Sequence, residues 1–205
     1  MNERKVRIAI TGGIGSGKSF VCQRLVDRGV EVFNCDDVAK RLMREQQSLQ
    51  QRLIALVGDD LYHDGVLNKV AMARFILASE DNARKVDGIV HPAVAQAFID
   101  SGLQWMECAI LFESGFDRLV DLVVYVDAPL EVRIDRVMRR DNINRAKTLE
   151  WMGRQMNPDE ARKRSHYVII NDGFSDIDKQ LNEIIKHIKT HATDNSIHSR
   201  QTRAL

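Results

Sequence analysis

Between a short apolar run, Val6 to Thr11, and an amphipathic stretch, Lys18 to Arg28, the chain carries Gly12-Gly13-Ile14-Gly15-Ser16-Gly17-Lys18-Ser19. The order is strand, glycine turn, helix. In that setting the glycines let the backbone curl until its N–H groups converge on a phosphate, with the positive end of the helix behind them. Lys18 is then placed to reach the β- and γ-phosphates of a nucleoside triphosphate, and the Ser19 hydroxyl to ligate Mg²⁺. A glycine-rich turn alone is a weak signal. The full Gly-x4-Gly-Lys-Ser pattern between strand and helix is a phosphate-binding loop, or P-loop.

The loop fixes the expected architecture. Gly29 stops the helix, and Val30 to Cys35 reads as a second strand, which completes a βαβ unit of a parallel sheet. From Val38 to about Gly102 the pattern turns helical with no clear strand. One apolar face breaks near Gln46, Lys69 to Ser79 is a second helix, and Pro92 suits the first turn of a third. Strands resume at Cys108 to Phe112, Leu122 to Val126 and Tyr167 to Ile170. Helical pattern fills Pro129 to Arg140, Lys147 to Arg154, Pro158 to Lys163 and Ile177 to Ile188. The expectation is an α/β P-loop fold with a five-stranded parallel sheet flanked by helices. Residues 1–36, 103–138 and 165–190 form its core, 37–102 a helical insertion, 139–164 a further segment before the last strand and 191–205 a disordered tail.

Composition narrows the partners. The 205 residues carry a net charge of +1, so no bulk field draws the molecule to nucleic acid or membrane. No apolar run approaches the roughly 20 residues of a membrane helix. Cys22, Cys35 and Cys108 are too far apart in sequence for a metal knuckle or a redox pair. They read as small buried residues in a reducing, cytoplasmic setting. Charge is locally uneven: Arg133 to Arg164 holds ten Lys/Arg against five Asp/Glu. That excess suits an anionic ligand or a solvated helical face. RNA binding would call for interleaved aromatics, and Trp151 stands alone there.

GTPases need an Asn-Lys-x-Asp after a later strand, and Asn171-Asp172-Gly173 lacks the lysine. A short P-loop chain with a helical insertion after its second strand resembles small-molecule kinases of the nucleoside-monophosphate-kinase type. In those, the insertion, here 37–102, binds the acceptor, and a later Arg-rich lid, here 139–164, closes over the phosphates. The motifs sharpen this. Thr11 to Ser19, Asp36 after the second strand, Leu67-Asn68 before a helix and His91-Pro92 come first in order. Leu111-Phe112-Glu113, Arg136-Val137-Met138-Arg139-Arg140-Asp141, Gln155 and Asn171-Asp172-Gly173 follow. Together they are similar to the dephospho-CoA kinase family over about residues 6 to 190. The resemblance implies transfer of the ATP γ-phosphoryl group to the ribose 3′-hydroxyl of dephospho-CoA, with Mg²⁺. Three positions depart from the family's pattern: Asn34-Cys35-Asp36 for Asp-x-Asp, Lys69 for Arg, and Ser165-His166 for Ala-Asp.

Carried onto this sequence, the resemblance gives Asp36, Lys18 and Arg140 as catalytic groups, with Arg136 second to Arg140. ATP contacts are Gly13, Ile14, Gly15, Ser16, Gly17, Lys18, Ser19 and Phe20, with Asn171 and Gly173 from a loop able to pass over adenine. Acceptor contacts are Thr11, Asp36, His91, Pro92 and Glu113, and the metal ligand is Ser19. Each has an ordinary structural alternative. Asp36 can be an N-cap for a helix beginning near Val38, although Asp37 is better placed for that. Glu113 is a strand-end carboxylate or a cap, His91 a structural histidine, and each arginine a solvated face. Asp127 follows a strand as a Walker-B aspartate does, but the resemblance leaves it outside the site. A kinase for a nucleoside monophosphate, and a P-loop regulator that only binds ATP, are the rival readings. Lys18→Ala should nearly abolish turnover with dephospho-CoA while circular dichroism shows an intact fold. Near-normal turnover in the folded variant would rule out the P-loop assignment.

Overall fold

A computed structural model describes residues 5–193, with side chains described through residue 190. The chain divides into two compact units, one of Met1–Val32 with Gln104–Leu205 and one of Phe33–Leu103.

The first unit is built on β1 (Ile8–Thr11), whose four residues are all buried. A residue inside a parallel sheet faces packed helices on both sides, so its strands read as apolar runs rather than alternating ones. β1 pairs in parallel with β5 (Trp105–Glu107) on one side and β6 (Leu122–Asp127) on the other. β6 pairs in parallel with β7 (Tyr167–Ile170). With β2 (Val32–Asn34) at the far edge, the sheet order is β2-β5-β1-β6-β7. This is the five-stranded sheet the sequence predicts. The third strand, however, is Trp105–Glu107 and not Cys108 to Phe112, which form turns.

Two helices seal one cluster of the core. α1 (Lys18–Val26) buries Val21, Cys22 and Leu25. α9 (Ile177–Thr193) buries Ile177, Leu181, Ile184 and Ile188, one stripe at helical spacing, against Ile8, Ile10 and Val124. α9 runs five residues past the predicted stop at Ile188, so 191–193 are helical. The expected disorder of 194–205 lies outside the described residues. Between β6 and β7 come α6 (Leu130–Asp141), α7 (Arg145–Met152) and α8 (Pro158–Lys163). Asn144 and Asn157 cap α7 and α8 by accepting from the N–H of Lys147 and Asp159. Ser165-His166 has a structural role. The His166 N–H donates to Val123 O, and His166 Nδ1 accepts from Val123 N–H, which prolongs the β6–β7 ladder by one step.

In the second unit, α2 (Cys35–Glu45) and α3 (Gln47–Val57) break at Gln46 as expected. α2 begins three residues earlier than predicted. Its cap is Asn34, whose Oδ1 accepts from the Asp37 N–H at 3.0 Å. Asp36 and Asp37 are therefore both first-turn helix residues, and neither is the cap. The helical reading of 38–102 also missed a hairpin, β3 (Tyr62–His63) with β4 (Val66–Leu67). Its turn is Asp64-Gly65, both with positive φ (49° and 78°), the Asp-Gly pair that two-residue hairpins favour. α4 (Lys69–Ala78) is capped by Asn68. α5 (Glu80–Ser101) is capped by Ser79 and runs straight through Pro92. Pro92 is thus interior and not at a first turn; it has no N–H to give the Gly88 carbonyl. Packing overrides that loss. Val86, Val90, Val94 and Phe98 form a buried stripe along α5, which packs on α2, α3 and α4.

Asn34→Ala should cost about 1 kcal/mol of stability in chemical denaturation, the worth of an N-cap, while Asn34→Asp stays near the parent because both residues cap equally well.

Candidate active site

The loop Gly12–Gly17 follows β1, and α1 starts at Lys18 with Gly17 as its N-terminal flank. Gly15 and Gly17 have φ of 80° and 89°, a region that L side chains rarely enter. There is no room either. A Cβ on Gly15 would stand 2.5 Å from the Arg133 carbonyl oxygen, and one on Gly17 would collide with the Asn171 amide.

Every carbonyl of the loop has a donor. Lys18 Nζ donates to Gly12 O at 2.8 Å, and the Ser16 N–H to Gly13 O at 3.0 Å. Arg133 Nε donates to Ile14 O at 2.9 Å. Arg136 reaches Gly15 O at 3.5 Å and Ser16 O at 3.3 Å, and also Asn171 O at 3.0 Å. Asn171 Nδ2 donates to Ser16 O at 2.8 Å. The Val21 N–H takes Gly17 O at 3.1 Å as α1 begins. The Ile14 N–H is held by Gln155 Oε1 at 2.6 Å. So segments from α6, from the stretch between α7 and α8, and from the end of β7 all meet on one loop.

At the foot of α1, Ser19 Oγ donates to Glu107 Oε1 at 2.7 Å. Glu107 is a buried carboxylate at the C-terminal end of β5, next to β1 in the sheet. Strand C-termini are where open parallel sheets take ligands. Cys22, one turn along α1, hydrogen-bonds the same carboxylate; burial first, then the charge of Glu107, pushes its thiol well above the ordinary range. Cys22 is therefore held as a neutral thiol; Cys35 and Cys108 are buried as well, and none of the three is in a disulfide. Thr11, at the loop's entrance, is buried. Tyr125 on β6 is buried, which raises its phenol, and it meets the Gly13 backbone.

The structure sorts the sequence's candidates. Gly13 to Ser19 and Asn171 converge. Phe20 is half-exposed, with the Arg24 guanidinium 4.9 Å above its ring. Gly173 sits in an open turn with φ of 95°. Arg140 does not reach the loop: its guanidinium chelates Asp141 through bonds of 2.9 and 2.8 Å. Glu113 lies beyond the end of β5 and accepts from the Met156 N–H at 2.9 Å. Asp127 is tied to Arg162. In the second unit, Asp36 is exposed on the first turn of α2, and His91 on α5 lies 3.5 Å from Asp87.

Two residues of this arrangement escaped the sequence reading. Glu107 could have been found as a lone acid closing the apolar run Trp105-Met106. Arg133 had the weaker signal of lying three residues before Arg136, on the same face of α6. Much of the Arg133–Arg164 charge excess is internally paired: Arg140, Arg145, Lys147, Arg154, Arg162 and Arg164 each meet a carboxylate. Arg133 and Arg136 meet loop carbonyls instead.

A glycine loop closed on the N-terminus of α1, with a lysine and a serine–carboxylate pair at the strand ends, defines the P-loop nucleotide-binding class. A family model described as dephospho-CoA kinase matches residues 6–176. The chain is 39% identical over 191 residues to a dephospho-CoA kinase of Bacteroides fragilis, covering 88% of this chain and 91% of that one. It is 36% identical over 193 residues to one of Porphyromonas gingivalis, covering 90% and 95%. A crystal structure from Thermus thermophilus matches with a TM-score of 0.79 at 29% identity, over 90% of this chain and 97% of that one. The chain belongs to the dephospho-CoA kinase family.

Arg136→Ala should weaken ATP binding about tenfold or more, since a hydrogen bond to a charged group is worth ~1.5–3 kcal/mol. Arg140→Ala, which removes a guanidinium bound to Asp141 and not to the loop, should leave ATP affinity in the absence of acceptor within about twofold. Calorimetric titration without acceptor distinguishes the two; equal losses would put Arg140 on the nucleotide.

Proposed function

We propose that the chain transfers the γ-phosphoryl group of ATP to the ribose 3′-hydroxyl of dephospho-CoA, giving CoA and ADP. The observation that carries this reading is the Ser19–Glu107 pair at the foot of the P-loop helix, in a chain whose family match spans residues 6–176. In the transfer, the 3′-oxygen forms a bond to the γ-phosphorus while the bond to the β–γ bridging oxygen breaks, leaving its electrons on ADP. The transition state is mostly a matter of positioning and of spreading charge. Backbone N–H groups within Gly13 to Ser19 receive the phosphates, apart from those of Ile14 and Ser16, which bond Gln155 and Gly13. Lys18 leaves the Gly12 carbonyl for the β- and γ-oxygens, where its ammonium follows the developing charge.

Ser19 Oγ and the Glu107 carboxylate are hard oxygen donors 2.7 Å apart, the chemistry Mg²⁺ takes. Among the described residues there is no group of three His, Cys, Asp or Glu able to hold a metal. That fits Mg²⁺, which is usually bound by one or two carboxylates plus substrate phosphates and waters. Ser19 would ligate it directly, and Glu107 directly or through a water. When bound, Mg²⁺ would supply positive charge against that of the phosphates.

Asp36 takes the proton of the 3′-hydroxyl. Its support is the resemblance and an exposed carboxylate on a first helical turn. His91, Pro92, Glu113 and Thr11 are the proposed acceptor contacts, residues 37–102 the acceptor-binding insertion, and 139–164 the lid that brings Arg140 to the phosphates. No helix among the described residues is long and apolar enough to cross a membrane. With its three cysteines buried and not disulfide-bonded, the chain suits the cytoplasm.

ADP release measured with dephospho-CoA, AMP, CMP and shikimate as acceptors tests the reading. Turnover should be confined to dephospho-CoA. Preference for another acceptor would make the chain a different small-molecule kinase, and ATP binding with no acceptor-dependent ADP release would make it a regulator. Asp36→Asn should lower kcat by roughly 10²–10⁴, the usual worth of a general base, with ATP affinity little changed. Asp37→Asn should stay active, because Asp37 only faces Lys40 at 3.5 Å on the surface. Full activity in Asp36→Asn would leave positioning alone to carry the reaction.

A further inference from the structure

Burying a charge is costly unless a counter-charge comes with it, so cations inside proteins are paired. Arg133 departs from that rule. It is 6% exposed and meets no carboxylate among the described residues. Its side chain makes one hydrogen bond there, from Nε to Ile14 O at 2.9 Å, and its two Nη groups make none. Neither Nη is sealed in: among the described residues, the fully buried side-chain nitrogen or oxygen without a partner is Ser16 Oγ. Arg136, one turn on, is spent by comparison. Its Nη1 is shared by three carbonyls, and its Nη2 reaches Asn171 Oδ1 at 3.4 Å. The forked end of Arg133 also has a definite place. A Cβ built on Gly13 would collide with Nη2 and stand 2.7 Å from Cζ, so the guanidinium lies against the second residue of the loop. The Lys18 ammonium is at the same stretch, 2.8 Å from Gly12 O and 3.5 Å from Gly13 O. In a P-loop that lysine serves the β- and γ-phosphates. Two cations thus flank Gly13, and one of them carries a planar fork that suits phosphate oxygens.

We infer that the Arg133 guanidinium awaits the γ-phosphate as its counter-ion and so sets the preference of this site for a nucleoside triphosphate over a diphosphate. The inference rests on the P-loop's binding the triphosphate, as proposed above. It adds the group that tells ATP from ADP. With the γ-phosphate in place the buried cation gains a charged partner, and ADP leaves it without one. Arg133 stands on α6 ahead of residues 139–164, and its side chain already lies on the loop. No lid movement is needed to bring it there, so the preference should show without acceptor.

Glutamine carries Nε2 where arginine carries Nε, so Arg133→Gln keeps a donor for Ile14 O and deletes the charged fork. Calorimetric titration of the full chain with ATP and with ADP, each with Mg²⁺ and without acceptor, tests this on the parent, Arg133→Gln, Gly13→Ala and the double variant. Arg133→Gln should weaken ATP about tenfold or more and leave ADP within about twofold, the worth of a hydrogen bond between charged groups. Gly13→Ala, whose methyl group displaces the guanidinium without changing residue 133, should lower the ATP-over-ADP preference in the same direction. The double variant should lose no more of it than Arg133→Gln alone. ATP affinity of Arg133→Gln within about twofold of the parent overturns the inference and leaves Arg133 as a support for Ile14. So does an equal loss for ADP, which would mean that the charge acts through the shape of the loop. An unchanged preference in Gly13→Ala, or an additive loss in the double variant, overturns it as well. A parent chain that binds neither nucleotide overturns the P-loop reading itself, and this inference with it.

Discussion

A loop that turns its N–H groups toward an anion must turn its carbonyls away from it, and those carbonyls need donors of their own. Much of the first unit answers that need. Ile14, Gly15 and Ser16 point their oxygens at Arg133, Arg136 and Asn171, which come from a helix and a strand end more than a hundred residues on. Gly12 takes the lysine of its own motif. Because the donors are cations and an amide, they hold the loop and add positive potential at the point where phosphate charge must be received. The loop's shape and its electrostatics thus come from the same bonds.

The same sheet geometry places the Ser19–Glu107 pair, the pair proposed to hold Mg²⁺. Ser19 is fixed by being the second residue of α1, and Glu107 by ending the strand beside β1. Two neighbouring parallel strands finish at the same edge of the sheet, so a residue closing one and a residue opening the helix after the other meet without any special turn. A carboxylate buried there is stabilised by the hydroxyl and the thiol that α1 presents one turn apart.

Sequence alone made the sheet, the loop and the helices between β6 and β7 legible, because glycine placement, apolar runs and prolines at helix starts are local signals. Three features were set by something less local. α5 continues through Pro92 because a four-residue apolar stripe is held by neighbouring helices, and propensity yields to that packing. The third strand ends at Glu107 rather than near Glu113, since Cys108 to Phe112 is apolar but turns, and an apolar run does not say whether it extends. The α2 cap moved from Asp37 to Asn34 because each of several adjacent polar residues can cap, and only the helix start decides among them. Of the arginines, the motif pointed to Arg140, whose guanidinium is bound to Asp141, while Arg136, one turn back, bonds the loop. The short Asp64-Gly65 hairpin was in plain view as a turn signal and was passed over because its strands are only two residues long.

The crowding around the loop also sets its evolutionary freedom. A methyl group on Gly13 would first meet the guanidinium of Arg133, the end of a side chain and not main chain. A methyl on Gly15 would meet the Arg133 main-chain carbonyl, which no exchange at position 133 removes. Positions 13 and 133 can therefore drift together through compensating steps, each tolerable only on the background of the other. Position 15 has no such companion. Variation in related chains should accordingly be paired at the first of these sites and frozen at the second, a difference invisible in a motif that writes both as glycine.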